Sequence, residues 1–393
     1  MDSVRALEDD WQGTLDAVAR ARGLGVASTD VARLSPLVAR LSATYNDRSA
    51  SAPAADDRGA LAARLLFSFV RDVPKGAGAV RELAAAGLLQ GERPLRVLDV
   101  GAGLGAMTWG IARAAGGRAV EADLFDRSEG ALALAAAIAA ERKAGVRVRT
   151  HVGDAGTASG APGYDIVVLG QVLSELDRES DAATRLARHV ALVESLLRRV
   201  DAHGSLVIVE PALRDRSRHL HRIRDAFAAR TNADVSVFAP CLHRAACPML
   251  VRETDWCHED LDVDLPAWLV PIARGAGLRF EGLTFSYLVL RKDGLTLRSR
   301  FAADASLFRE VSGLVRTKGK TERIVCGVTP SAPGGVGVRA MRLDRADTAE
   351  NAAWEEAHRG DLLAFDPPLE AARPRVEKEM RVTLLVDAPG GRR

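Results

Sequence analysis

The chain has 393 residues, 47% of them hydrophobic, and a formal net charge of +2. That is enough apolar material for one large or two medium cores, so no disulfide scaffold is needed, and four cysteines are too few to build one. No apolar run of about 18 residues is free of charge, and Met1 to Arg22 is acidic and amphipathic, which argues against a membrane span or a secretory leader and makes a cytoplasmic location the expectation.

Residues 1–90 read as helices, with apolar residues at helical spacing in Leu61 to Val70 and Ala79 to Leu89, interrupted by a loop expected over Ser49 to Asp57. From Leu95 the period changes. Short apolar runs (Leu95 to Val100, Ala119 to Phe125, Val146 to His151, Asp165 to Leu169, Ser205 to Val209) alternate with helical segments starting near Ala106, Glu129 and Ala182. Strands that are short and continuously apolar are buried on both faces, so the fold class expected is α/β, a Rossmann-like doubly wound parallel sheet. Its domain would occupy residues 91–330, with an insert at about 211–277 projecting from it, the helical region before it and an extension over 331–393 behind it. Two strand-like segments, Thr284 to Arg291 and Arg323 to Thr329, are expected at the sheet's far edge; the tail reads as a helix over Thr348 to His358 and a strand over Arg381 to Val386.

Within the first strand passage, Leu95 to Gly105 runs LRVLDVGAGLG straight into a helix. Gly101, Gly103 and Gly105 permit a tight turn and let a ligand approach the helix N-terminus more closely than a Cβ would allow. With Ala106 the run also satisfies a dinucleotide fingerprint. Asp99 separates the two readings. An acid two residues before the first glycine repels a pyrophosphate but accepts a hydrogen bond from an ammonium, and S-adenosylmethionine carries one. At the end of the second strand Asp126 is the expected ribose ligand, with Asp123 as competitor. Asp154, after the third strand, is either an acceptor for the adenine amino group or a plain turn aspartate. Gly170 to Glu175, after the fourth strand, lies where a methyl acceptor would enter, with Gln171 expected among the cofactor-binding residues; that segment lacks an Asn/Asp-Pro-Pro-aromatic motif and shows no evident general base, so no catalytic residue is assigned.

Six lysines stand against 48 arginines, since Lys and Arg total 54. Arg214, Arg216, Arg218, Arg222 and Arg224, with His219 and His221 among them, read either as a phosphate-recognising cluster or as a solvated helix face paired with Asp215 and Asp225. Next come the cysteines, Cys241, Cys247, Cys257 and Cys326, separated by five, nine and 68 residues. Four soft thiolates suit zinc or an iron-sulfur cluster. The absence of Cys-x-x-Cys pairs and the presence of Pro248 lean toward a cluster, while zinc and unligated buried thiols stay open as alternatives. His243 and His258 are substitute ligands or neighbours of the site. Radical adenosylmethionine chemistry is set aside, because the nucleotide loop holds no cysteine.

From about Phe67 to Thr329 the chain resembles the methyltransferase-like assembly factors of the small ribosomal subunit, known from mitochondria and with bacterial relatives. The resemblance rests on Val97-Leu-Asp-Val-Gly-Ala-Gly, Tyr164-Asp-Ile-Val-Val with Leu173-Ser-Glu-Leu176, Val209-Glu-Pro211, Ala239-Pro-Cys241 to Cys247-Pro248, Asp255-Trp-Cys-His258, Phe285-Ser-Tyr-Leu288 and Arg316-Thr-Lys318-Gly-Lys320. It implies a class I methyltransferase fold that binds S-adenosylmethionine, a [4Fe-4S] cluster on Cys241, Cys247, Cys257 and Cys326, and association with the small ribosomal subunit through 16S rRNA, with Lys318, Lys320 and Arg323 as phosphate contacts. No membrane or DNA partner is expected. The run Glu259-Asp-Leu-Asp-Val-Asp-Leu265 departs from that pattern by being acidic where a basic run is expected.

Overall fold

The computed structural model describes residues 3–46, 56–158, 162–230, 234–301 and 306–386; most of the loop expected over Ser49 to Asp57 lies outside them. Helices α1 (Asp10–Ala21), α2 (Val31–Asn46), α3 (Arg58–Ala63), α4 (Phe69–Ala79) and α5 (Arg81–Ala85) form the first part, a π-helical turn (Arg64–Ser68) joining α3 to α4. The alternating part follows: β1 (Leu95–Val100), α6 (Ala106–Ala114), β2 (Val120–Asp126), α7 (Glu129–Arg142), β3 (Val146–Val152), β4 (Tyr164–Gly170), α8 (Ala182–Leu197), β5 (Val200–Glu210) and α9 (Arg214–Ala228). Local chemistry sets the boundaries. The Ser128 hydroxyl accepts from Ala131 N to start α7, and the Asp181 carboxylate accepts from Ala183 N and Thr184 N to start α8. Helix α6 starts from Gly105 in the left-handed region, and it crosses α4 so closely that a Cβ on Gly110 would stand 2.4 Å from the Val73 carbonyl oxygen.

The remaining elements are β6 (Ser236–Ala239), β7 (Glu259–Leu261), α10 (Val270–Gly275), β8 (Leu283–Arg291), α11 (Leu297–Phe301), β9 (Ser306–Glu310), β10 (Val315–Thr317), β11 (Lys320–Thr329), β12 (Ala332–Leu343), α12 (Ala353–Glu356), β13 (Leu362–Asp366), β14 (Arg375–Val376) and β15 (Arg381–Val386). The first sheet runs β3-β2-β1-β4-β5-β8-β6, with β7 on β8. Its first five strands are parallel, and β8 is antiparallel to both β5 and β6. The order reverses between β1 and β4, where a doubly wound sheet opens its ligand crevice at the strand carboxyl ends. This is the doubly wound sheet the alternation implies, in the class I methyltransferase-like form the resemblance implies.

Three expectations change. The segment 211–277 does not project as a separate insert: α9 packs on the sheet, β6 is the sheet's edge strand, and the cysteines lie on the irregular connection between β6 and β7. The segment 323–329 is not on the first sheet's far edge, because β11 belongs to a second sheet, β14-β12-β11-β9-β13-β15 with β10 on β11. The tail supplies four of these strands, and its expected long helix is only α12 preceded by a 3₁₀ turn. The second sheet has its own core around Trp354, Phe308, Phe365 and Val325, while Leu307, Val328 and Leu362 join the main core. Among the described residues no helix is long and apolar enough to cross a membrane.

Candidate functional site: a nucleotide loop and four neighbouring thiols

The turn after β1 is built by backbone. Gly101 (φ 68°), Gly103 (φ 51°) and Gly105 (φ 78°) all lie in the left-handed region, and both Gly101 N and Ala102 N donate to the Phe125 carbonyl, at 2.7 and 2.9 Å. A Cβ on Gly101 would strike Val172 at 2.3 Å, whereas around Gly103 there is open space. Asp126, at the end of β2, ties the turn down: its carboxylate accepts from Gly103 N (2.8 Å) and Ser128 N (2.9 Å). Asp99 is buried, and Thr108 bonds one of its oxygens through Oγ1 (2.8 Å) and N (3.3 Å); the other, Oδ1, has no partner among the described residues. Burial raises Asp99 to about 7 against the pull of Thr108. Asp123 is differently employed. Burial opposes its ionisation, but hydrogen bonds from Arg149, His151 and Tyr164 outweigh burial and hold it down to about 2.

Asp154 is exposed, and its side chain makes no capping bond to the 3₁₀ turn that follows it. Gln171 stands at the carboxyl end of β4 with φ 62°, a strained conformation for a residue with a Cβ, and donates from Nε2 to Asp72 of α4 (2.9 Å). Asp72 also pairs with the buried Lys75 (2.7 Å). Behind Gln171, Glu210 accepts from Leu173 N (2.9 Å) and Ser174 N (3.2 Å), and burial raises it to about 7. The first helical region thus closes over the strand ends and fixes the segment where an acceptor would enter.

The thiols arrive from two sheets. Cys241 and Cys247 lie on the connection leaving β6, Cys257 just before β7, and Cys326 on β11. Their mutual influence shows that they are neighbours: burial, then Cys241 and Cys257, push the Cys247 thiol up to about 12. Burial also takes Cys257 to about 12, with Cys241 adding to the rise and Arg359 opposing it, and puts Cys326 well above the ordinary range, with all three other thiols contributing. Among the described residues no three His, Cys, Asp or Glu side chains are placed to hold one metal ion.

The residues holding this arrangement are those the arginine-rich helix supplied. Arg224, 2% exposed, donates to the carbonyls of His243 and Ala245 and to Asp225 (2.7 Å), and Asp225 in turn accepts from Cys247 N (3.1 and 3.0 Å). One terminal nitrogen of Arg218 stands 2.7 Å from each of the carbonyls of Met249, Arg252 and Asp255, which share its two hydrogens. Cys257 N donates to His221 (3.2 Å), and Arg359 reaches the His258 carbonyl (3.0 Å). Arg216 is spent on the Tyr45 carbonyl (2.6 Å). The cluster at 214–224 is therefore neither a phosphate site nor wholly a solvated face; its buried members collect the carbonyls of the cysteine loop, and Arg214 and Arg222 alone among the five are exposed. His243 lies inside the centre, its Nε2 at 3.4 Å from Cys326 Sγ. Burial, then Arg224, bring its pKa down to about 4.

Sequence reasoning missed a buried ionic quartet beside the thiols. Arg81 pairs with Glu82 (3.3 Å) and Glu259 (3.0 Å); Arg309 pairs with Glu82 (2.8 Å), donates to the Pro240 carbonyl (2.8 Å) and stands opposite Cys326 in the sheet register. The acidic run after His258 is absorbed in this way: Glu259 enters the quartet, Asp260 pairs with Arg279 (3.5 Å) and Asp264 accepts from Gly282 N (2.9 Å). Of the expected phosphate contacts, Lys318 is exposed and Lys320 is partly exposed and paired with Glu322 (3.1 Å). Arg323 is not one, because it is buried against Glu310 and the Trp354 and Ala357 carbonyls.

Residues 81–320, more than half of the chain, match the model of the family described as mitochondrial small ribosomal subunit Rsm22. No curated protein matches the sequence. Among solved structures, the chain is similar to the plantazolicin methyltransferase BpumL in complex with SAH, at 12% identity and a TM-score of 0.38 over 67% of this chain and 97% of that one. It is also similar to an S-adenosylmethionine-dependent O-methyltransferase from Thermotoga maritima (13%, TM-score 0.33, 56% and 65%). A third likeness is to an S-adenosylmethionine-dependent methyltransferase from Thiobacillus denitrificans bound to S-adenosyl-L-homocysteine (23%, TM-score 0.24, 33% and 48%). The strand order, not these partial overlaps, carries the fold.

Proposed function

The chain belongs to the mitochondrial small ribosomal subunit Rsm22 family, and from that premise we propose that it is an S-adenosylmethionine-binding, [4Fe-4S]-bearing factor that associates with the small ribosomal subunit through 16S rRNA during its maturation. The observation that carries the reading is the neighbourhood of four thiols drawn from two sheets, Cys247 buried and the other three half-buried. The donor set fits such a centre. Thiolates are soft ligands, and Arg224, Arg309 and Arg359 stand near enough to act on the thiols, which suits an anionic cluster. Ligation would join Cys241, Cys247 and Cys257 to Cys326 and so fasten the β6–β7 connection to the second sheet; in such an irregular segment ligation energy is folding energy.

The nucleotide loop fits adenosylmethionine. The orphaned Asp99 Oδ1 is a buried acceptor for the ammonium, the open space at Gly103 admits the ligand, and Asp126 retains lone pairs for ribose hydroxyls. Asp154 and Gln171 line the same strand ends and would flank the adenine and the methyl group. When bound, the cofactor supplies an electrophilic methyl group. The intact loop favours, as a second reading, methyl transfer to 16S rRNA, in which the chain contributes position.

Co-sedimentation tests the main reading. The anaerobically prepared chain should travel with small-subunit precursors, and Cys241→Ser or Cys326→Ser should lose that association while still binding adenosylmethionine; association unchanged after cluster loss would overturn it. An altered 16S rRNA methylation map in a strain lacking the protein would establish the second reading, and an identical map would remove it.

A further inference from the structure

We infer that His243 donates a hydrogen bond from Nε2 to the sulfur of Cys326 and thereby raises the reduction potential of the centre held by the four thiols. The inference rests on the cluster reading above. It follows from counting hydrogens on Arg224. Each terminal nitrogen of a guanidinium carries two, and none can accept. One nitrogen of Arg224 serves the Ala245 carbonyl and Asp225; the other serves the His243 carbonyl and stands 3.4 Å from His243 Nδ1. Because Arg224 can only donate, we assign Nδ1 as its acceptor and place the proton of the neutral imidazole on Nε2, the atom 3.4 Å from Cys326 Sγ; the competing acceptor for a ring proton is the Ala245 carbonyl, which Arg224 already occupies. The ring is held there by space as well as by charge. A Cβ on Gly335 of β12 would fall 2.2 Å from His243 Cγ, and a Cβ on Gly337, the register partner of Cys326, would fall 3.0 Å from Pro248. Two glycines on one strand thus make the hollow in which the cysteine loop lies against β11.

A hydrogen bond to a ligand sulfur favours the more negative, reduced form of an iron-sulfur cluster. Removing the donor should make reduction harder. Voltammetry of the anaerobically purified full chain tests this: His243→Phe keeps a flat ring without the donor and should shift the one-electron equilibrium about tenfold against reduction, a fall of about 59 mV. His243→Gln, whose amide nitrogen reaches the same region, should recover most of that fall, which a purely structural role of the ring would not allow. Pulsed EPR of the reduced wild-type chain labelled with 15N-histidine gives a reading independent of how the variants fold: a ring-nitrogen coupling is expected, and its loss in a cluster-loaded His243→Gln assigns it to His243. An unchanged potential in a cluster-loaded His243→Phe, or no histidine coupling in the wild type, overturns the inference alone. A chain purified without iron and sulfide overturns the cluster reading and this inference with it.

Discussion

Around Gly101 to Gly105 the turn comes from one strand-turn-helix passage and the end of the next strand, and it is held by bonds such as Gly103 N to Asp126 that exist without any ligand. The thiols are assembled differently. They come from a loop between strands of one sheet and from the middle of a strand in the other, and the loop owes its shape to guanidinium groups on α9 that occupy its carbonyls. A site of the first kind is preformed by local backbone geometry and tolerates changes elsewhere. The second depends on buried charge and on the meeting of two sheets, so the centre that is richest in chemistry is the one most exposed to distant mutation.

Breaking the clamp should have the largest effect. Arg224→Met leaves the carbonyls of His243 and Ala245 without this donor and Asp225 without its charged partner, and losing one partner of a buried charged network costs about 3–5 kcal/mol. Denaturant midpoints should fall accordingly and bound iron with them, whereas Arg222→Ala on the exposed side of the same helix should stay within about 0.5 kcal/mol of the parent. Gly335→Ala should cost about 1–3 kcal/mol, through the clash with His243 and a φ of 107°, and should lower iron content without weakening adenosylmethionine binding.

The nucleotide loop should answer to pH instead. The folded chain keeps a proton on Asp99 up to about pH 7, while the unfolded chain has released it by about pH 4. Stability of the ligand-free chain therefore falls as pH rises across that window, and Asp99→Asn should remove this component of the slope. Binding runs the other way, because the ammonium needs the ionised carboxylate: calorimetric titrations should show wild-type affinity for adenosylmethionine rising through about pH 7, and about a tenfold loss in the variant. The smallest effect expected is that of Lys318→Ala, which should reduce the salt slope of small-subunit binding by about 1 and leave both sites intact.

The doubly wound sheet was legible because β1 and β4 are short, mostly apolar runs and the helical segments α7 and α8 carry ordinary caps, although the edge strand β3 alternates Val with Arg and is largely exposed. The second sheet was not, since β12 is rich in glycine and its pairings are set by tertiary contact. The clamp was partly legible. Leu220, Ile223, Arg224 and Phe227 share one face at helical spacing, so periodicity alone places Arg224 with the apolar residues. In the same way, strand alternation puts Arg323 with Thr321 and Val325 on the covered face and away from phosphate. What no pattern showed was the partners, which for Arg218 lie 31 to 37 residues downstream. The acidic run after His258 misled for the same reason: Glu259 answers Arg81 and Arg309, which are far away in sequence.

Metal and sulfide analysis of the anaerobically purified chain tests the central claim most directly. Iron and acid-labile sulfide in equal amounts, about four of each per chain, with visible absorbance that bleaches in air, is the predicted result. Zinc without sulfide, or four thiols that all react freely in a metal-free folded chain, would contradict it.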